Sequence, residues 1–82
     1  MKDLTLIIPA KNEEDSLPKV LDELEKFEYN ICVILSANDT ETIEAIKNYN
    51  CEILYQKNKG YGDALIYGIE NIKTQFFCIF NA

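Results

Sequence analysis

The feature that most constrains this chain is a regular alternation between short apolar runs and longer stretches with helical periodicity. The apolar runs lie at residues 4–8, 31–35, 51–55 and 76–80, and each has the length of a strand buried on both faces. Between them, apolar residues recur at the three- and four-residue spacing of an amphipathic helix. The members of these three stripes are Leu17, Val20, Leu21, Leu24 and Phe27, then Ile43, Ile46 and Tyr49, then Leu65, Gly68, Ile69 and Ile72.

This alternation predicts the element order βαβαβαβ. Asp15 or Ser16 is expected to begin the first helix, and Asn38 or Asp39 the second. Strands joined through helices run parallel in one sheet, because the crossover returns the chain to the same end, and this gives an α/β, Rossmann-like layer. In such sheets ligands bind beyond the carboxyl ends of the strands, so the loops after Ile8, Leu35, Tyr55 and Phe80 are the candidates for a site.

Charge and composition exclude several classes of function. The 82 residues carry fourteen acids against eight lysines, with no arginine and no histidine, for a net charge of −6. Nucleic-acid binding is disfavoured because phosphate contacts need clustered cations. Without histidine, the chain has no Ser–His or Cys–His nucleophile. No apolar run approaches the roughly 18 residues of a membrane span, and the start has no secretory pattern, so we expect a cytoplasmic protein.

Three cysteines lie far apart in the sequence, each in an apolar stretch. An odd number at this spacing favours reduced thiols over a disulfide framework or a metal site. We therefore expect Cys32, Cys51 and Cys78 to be buried.

The first candidate loop, Pro9 to Asp15, leads from a strand into a helix. From chemistry alone, Asn12 and the acids of this loop are explained by capping of that helix. The run Leu6-Ile7-Ile8-Pro9-Ala10-Lys11-Asn12-Glu13-Glu14, however, resembles the opening signature of family 2 (GT-A type) glycosyltransferases. In that signature a strand ends in proline, a small residue, any residue and then Asn-Glu.

A second motif lies after the third strand. The run Asn58-Lys59-Gly60-Tyr61-Gly62-Asp63-Ala64-Leu65-Ile66-Tyr67-Gly68-Ile69 resembles the glycine-rich loop and helix of the polyprenyl-phosphate sugar transferases of that family, such as dolichol-phosphate mannosyltransferase. Gly60 and Gly62 would let an anionic ligand approach the backbone, and Lys57 and Lys59 would add cations. We interpret Gly68 as a close contact between helix and sheet.

The resemblance implies that residues 1–82 are the N-terminal, nucleotide-sugar-binding part of a GT-A domain, with a C-terminal half needed to complete the fold. The substrate would be a nucleotide-diphosphate sugar. A lipid-phosphate acceptor would bring the protein to the inner face of a membrane. The residues expected to bind the nucleotide sugar are Pro9, Ala10, Asn12, Glu13, Asp39, Lys57 and Gly60.

Two departures from the family pattern concern charge. The family's paired aspartates after the second strand are replaced here by Ser36 and Ala37, which leaves Asp39 and Glu41 as the local acids. Asn81 stands where the first aspartate of a metal-binding Asp-x-Asp element is expected. A neutral amide brings no charge to hold the Mg²⁺ or Mn²⁺ of the family, so we do not expect these residues alone to bind it or to catalyse transfer.

Two alternatives remain open at this point. A sugar-phosphate nucleotidyltransferase has a similar sheet, but its first loop is rich in glycine and arginine, and Pro9 to Glu14 contains neither. The neutral Ser36, Ala37 and Asn81 favour instead a noncatalytic relative that acts as a folding or interaction unit.

Overall fold

The computed structural model describes residues 3–57 and 59–81. The predicted order of strands and helices is confirmed. The elements are β1 (Leu4–Pro9), α1 (Leu17–Leu24) followed by one 3₁₀ turn (Glu25–Phe27), β2 (Asn30–Leu35), α2 (Thr40–Ile46), β3 (Glu52–Tyr55), α3 (Tyr61–Asn71) and β4 (Phe76–Ile79).

The four strands form one parallel sheet in the order β3-β2-β1-β4. The chain therefore steps outward from β1 to β3 and then crosses back over the sheet to β4. With right-handed crossovers, this reversal puts α3 on the opposite face from α1 and α2. The α/β, Rossmann-like architecture predicted from the sequence is confirmed, and it agrees with the N-terminal part of a GT-A fold.

Alternate residues of the central strands fill two separate cores. On one face Leu6, Ile8, Val33 and Leu35 pack beneath α1 and α2. On the other face Ile7, Cys32 and Ile34 pack beneath α3, which contributes Ala64. The residues of β1 and β2 alternate between these cores and nearly all are buried, which is why both strands have continuous apolar sequences.

The second helix is shorter than its stripe suggested. It ends at Ile46, and Tyr49 lies in the following turn, where its N–H donates to the Ile46 carbonyl at 3.0 Å. The Tyr49 hydroxyl donates to Asp22 Oδ1 at 2.8 Å, and this bond joins the turn to α1. Tyr49 is therefore placed by its contact with α1, and not by a continuation of α2.

Gly68 lies where α3 passes closest to the sheet. A β-carbon placed on it would lie 2.3 Å from Ile34 Cδ1 and 3.0 Å from Ile7 Cγ2. Both isoleucines are completely buried, so they have little room to move aside. The interpretation of Gly68 as a close contact between helix and sheet is confirmed.

The last strand, β4, is apolar but not covered. The exposed fractions are 56% for Phe76, 43% for Phe77 and 38% for Ile79, although most of the similarly apolar strand β1 is buried. The register with β1 places Phe77 and Ile79 on the α3 face and Phe76 on the other face. Because no described helix packs closely over β4, its apolar side chains are partly exposed to solvent on both faces.

The expectation for the cysteines is wrong for one of the three. Cys32 is buried, and burial, with smaller contributions from Glu52 and Cys51, raises the pKa of its thiol to about 12. Cys51 is half-buried, which also raises its pKa. Cys78 is exposed, because it belongs to the uncovered strand β4. All three are free thiols.

None of the helices in residues 3–57 and 59–81 combines the length and the hydropathy of a transmembrane segment.

Candidate functional site

The candidate site lies at the carboxyl end of the parallel sheet, where the loops after all four strands emerge. Strand order reverses between β1 and β4, and in parallel sheets ligands bind outside the carboxyl ends of the strands at such a reversal. The backbone N–H of Phe80 donates to the Ile7 carbonyl at 2.9 Å, which extends the pairing of β4 with β1 toward this end of the sheet. Pro9 and Asn81 are therefore at the same end of adjacent strands.

Pro9 and Ala10 set the starting point of the first loop. Pro9 is the last residue of β1, and the N–H of Ala10 donates to the Ile34 carbonyl at 2.9 Å. Ala10 is only 8% exposed and belongs to the core beneath α1 and α2. The structure thus gives both residues a part in anchoring the loop to β2.

Asn12 and Asp39 are brought together by the loops after β1 and β2. The backbone N–H of Asn12 donates to Asp39 Oδ2 at 2.8 Å. Asn12 has a φ of 54°, in the left-handed region that asparagine tolerates better than most residues. Asp39 immediately precedes α2, but its carboxylate makes no capping bond to that helix. Its side chain is used instead to hold the first loop.

Glu13 is fixed by α2 and by the start of α1. Its backbone N–H donates to Thr42 Oγ1 at 3.1 Å, and its carboxylate accepts a hydrogen bond from the Ser16 hydroxyl. Its carbonyl also accepts from the N–H of Leu17 at 2.9 Å. Ser16 does begin the first helix, but its hydroxyl serves Glu13 rather than the free N–H groups of the helix.

Replacing Thr42 by valine should lower the free energy of unfolding by about 1–2 kcal/mol, because the N–H of Glu13 loses its acceptor while side-chain volume is unchanged. Thr42 is completely buried, so water cannot replace the lost hydroxyl. Urea denaturation would measure the change. Thr40→Val is the matched control, since Thr40 is exposed in the same helix; an equal loss in both variants would contradict this account of the loop.

The glycine-rich loop is held at Gly60 by Gln56, the residue that follows β3. Gln56 Nε2 donates to the Gly60 carbonyl at 2.9 Å, and Gly60 adopts a φ of 112°, which side chains rarely permit. Gly62 has open space around its missing side chain. Lys57 is exposed and forms no ion pair with any described residue, and Asn58 lies outside the described residues.

Asn81 is contacted by the first residue of α3. The Tyr61 hydroxyl donates to Asn81 Oδ1 at 2.8 Å. The site residues therefore form two groups, one around Asn12 and Asp39 and one around Gly60 and Asn81. Within residues 3–57 and 59–81, no hydrogen bond or ion pair joins the two groups or links Lys57 to either.

Comparison with known proteins now adds the family. The sequence model described as "Glycosyl transferase family 2" matches residues 5–82, which is nearly the whole chain. The chain belongs to glycosyl transferase family 2. No curated protein and no solved structure matches it. Membership supports a glycosyltransferase type of function, and it counts against the nucleotidyltransferase alternative.

In this member of glycosyl transferase family 2, the loop after β2 begins with two neutral residues. Ser36 and Ala37 are exposed, and Ser36 shapes a turn in which its hydroxyl accepts from the N–H of Asn38 at 3.1 Å. Its carbonyl accepts from the N–H of Asp39 at 3.0 Å. This turn presents Asp39, rather than an acid at position 36 or 37, to the first loop.

The described residues do not fit the divalent cation that the resemblance implies. They contain no group of three or more His, Cys, Asp or Glu side chains close enough to share an ion. Asn81 is neutral, so its amide oxygen, which accepts a hydrogen bond from Tyr61, brings no charge to hold a cation.

Sequence reasoning missed Thr42, Gln56 and Tyr61. Thr42 had a usable signal, because it lies four residues before the buried Ile46 and therefore on the inward face of α2. Gln56 and Tyr61 had none, because their partners depend on how the loops fold.

Proposed function

We propose that this chain binds a nucleotide-diphosphate sugar at the carboxyl end of its sheet and serves transfer of that sugar to an acceptor. The observation that carries the proposal is the bond between Asn12 and Asp39. It fixes a carboxylate at the carboxyl end of the sheet, in the loop after β2, where the family resemblance predicts that Asp39 binds the nucleotide sugar.

Asp39 has the chemistry to bind a nucleoside. Its Oδ2 is occupied by the Asn12 N–H, while its Oδ1 accepts no hydrogen bond from any part of the chain that the structure describes. A carboxylate accepts strongly from the ring N–H groups of a base and from ribose hydroxyls. With one oxygen anchored, the other is presented in a defined direction, which lowers the entropic cost of binding.

The diphosphate would lie at the glycine-rich loop. The early N–H groups of α3 favour an anion, and the open space at Gly62 lets phosphate oxygens approach the backbone. Asp63 in the first turn reduces this positive potential, so Lys57 and Lys59 are needed as counter-charges. The chain has a net charge of −6, which makes these two lysines more important.

The acceptor is proposed from the second motif. The resemblance of residues 58–69 to polyprenyl-phosphate sugar transferases suggests a lipid phosphate, which is already ionised and would need no base to activate it. Such an acceptor would bring the protein to the inner face of a membrane. No step through Mg²⁺ or Mn²⁺ is assigned to the residues described, since their donor set does not fit the ion.

Calorimetric titration with UDP and with GDP tests the nucleoside site. Replacing Asp39 by alanine should weaken binding of the preferred nucleotide at least tenfold, because a charge-assisted acceptor is lost and the Asn12 N–H is released. Glu41→Gln is the matched control, since it removes one acid from the first turn of the same helix. We expect little change in the control.

Two results would count against the proposal. Equal affinity of wild type and Asp39→Ala would remove Asp39 from the site. Absence of binding to either nucleotide would favour the second candidate, a noncatalytic folding or interaction unit, for which the neutral Ser36, Ala37 and Asn81 are the supporting observation.

A further inference from the structure

Position 81 has a neutral side chain with a fixed orientation. The Tyr61 hydroxyl donates to Asn81 Oδ1 at 2.8 Å, across a separation of twenty residues. Tyr61 is 54% exposed, so its ring is not placed there by burial in a core. Among the residues described, this hydrogen bond is the one polar contact of its hydroxyl.

Tyr61 is itself held in place from the other side. It follows Gly60, whose carbonyl accepts from Gln56 Nε2 at 2.9 Å and whose φ of 112° sets the direction in which α3 begins. Gln56 in turn is fixed to β2, since its N–H donates to the Leu35 carbonyl at 2.8 Å. A continuous series of bonds thus runs from β2 through the glycine-rich loop to Asn81.

The oxygen and the nitrogen of the Asn81 amide therefore differ in their hydrogen bonding. Its oxygen accepts from Tyr61, whereas its Nδ2 group donates to no residue in the described part of the chain. An amide nitrogen carries two N–H donors and cannot bind a cation. The NH₂ group therefore offers two donors to a ligand, and a phosphate oxygen is a suitable acceptor.

We propose that Tyr61 is a positioning residue that turns the Asn81 amide so that its NH₂ group donates to the diphosphate of the bound nucleotide, where a metal-ligating carboxylate would otherwise be expected. This inference rests on the proposed function. It assigns hydrogen-bond donation to position 81 in place of metal binding. With Asn81 as a direct donor, we expect pyrophosphate to bind this chain without a divalent cation.

Titration with inorganic pyrophosphate in the presence of EDTA tests this assignment, with ¹⁵N-resolved NMR as the readout. The side-chain NH₂ signals of Asn81 are assigned by their disappearance in Asn81→Asp. We expect these signals to shift as pyrophosphate binds to wild type. Tyr61→Phe should move the same signals in the free protein and weaken pyrophosphate binding about fivefold, the loss typical of one hydrogen bond.

Asn81→Asp should weaken binding in EDTA at least tenfold, because a carboxylate repels the anion and has no donor to offer. Adding Mn²⁺ should restore part of this loss in Asn81→Asp and change wild type little. Tyr67→Phe is the matched control, since it removes a tyrosine hydroxyl from the same helix and should leave the Asn81 signals unchanged.

Several outcomes overturn the inference. One is pyrophosphate binding by wild type only when Mn²⁺ is present, and another is a Tyr61→Phe variant with unchanged Asn81 signals and affinity. Binding of uridine or guanosine without pyrophosphate binding would overturn it while leaving the nucleoside site at Asp39 intact. If neither nucleoside nor pyrophosphate binds, the proposed function fails as well.

Discussion

Replacing Gly68 by valine is expected to lower the free energy of unfolding by about 3 kcal/mol, because the added side chain enters a filled core. Its β-carbon alone would lie 2.3 Å from Ile34 Cδ1 and 3.0 Å from Ile7 Cγ2. Ile7 and Ile34 are fully buried in the two central strands, so relief requires α3 to move away from the sheet. Urea denaturation followed by circular dichroism would measure the loss.

Gly62 provides the matched control in the same helix. A β-carbon there would meet nothing within 4 Å, so Gly62→Val tests the change of residue without the clash. Valine has a somewhat better helix propensity than glycine, and the control should be neutral or slightly stabilised. If Gly68→Val were as stable as Gly62→Val, α3 would not pack against the sheet as described.

An 82-residue chain of this sequence is expected to self-associate through β4, and placing lysines on that strand should make it monomeric. Phe76 and Phe77 are 56 and 43% exposed on opposite faces, and burying each in an interface contributes up to about 1.5–3 kcal/mol. The outer edge of β4 also has backbone groups that no described strand pairs. Sedimentation velocity at several concentrations would compare wild type with the double variant Phe76→Lys, Phe77→Lys.

The control for this experiment places the same charges on a helix. Ile66 and Ile69 of α3 are 61 and 39% exposed, but a helix has no free backbone edge. Ile66→Lys with Ile69→Lys should therefore leave association largely unchanged. Monomeric wild-type protein at all concentrations would contradict the prediction, and so would equal dissociation in both double variants.

Much of the fold was predictable because its signals are local. Continuous apolar sequence in β1 and β2 and the stripe Leu17 to Leu24 report strand and helix directly. Less of the site was predictable. Asn12 and Asp39 were identified as candidates, but capping explained Asp39 equally well until its carboxylate was seen to accept from Asn12 rather than from its own helix. Whether these residues bind a nucleotide stays a prediction.

The sequence by itself determined the order of elements, the parallel sheet and the family. Periodicity specifies which side of each element is apolar, and helical crossovers then leave only parallel pairing. Only the tertiary structure decided which loops meet and which strands are covered. The Tyr61–Asn81 bond depends on α3 crossing back over the sheet, and the exposure of Cys78 depends on β4 lying at its edge. A strand's own residues cannot report this, because buried and uncovered apolar strands have the same local pattern and differ only in what packs against them.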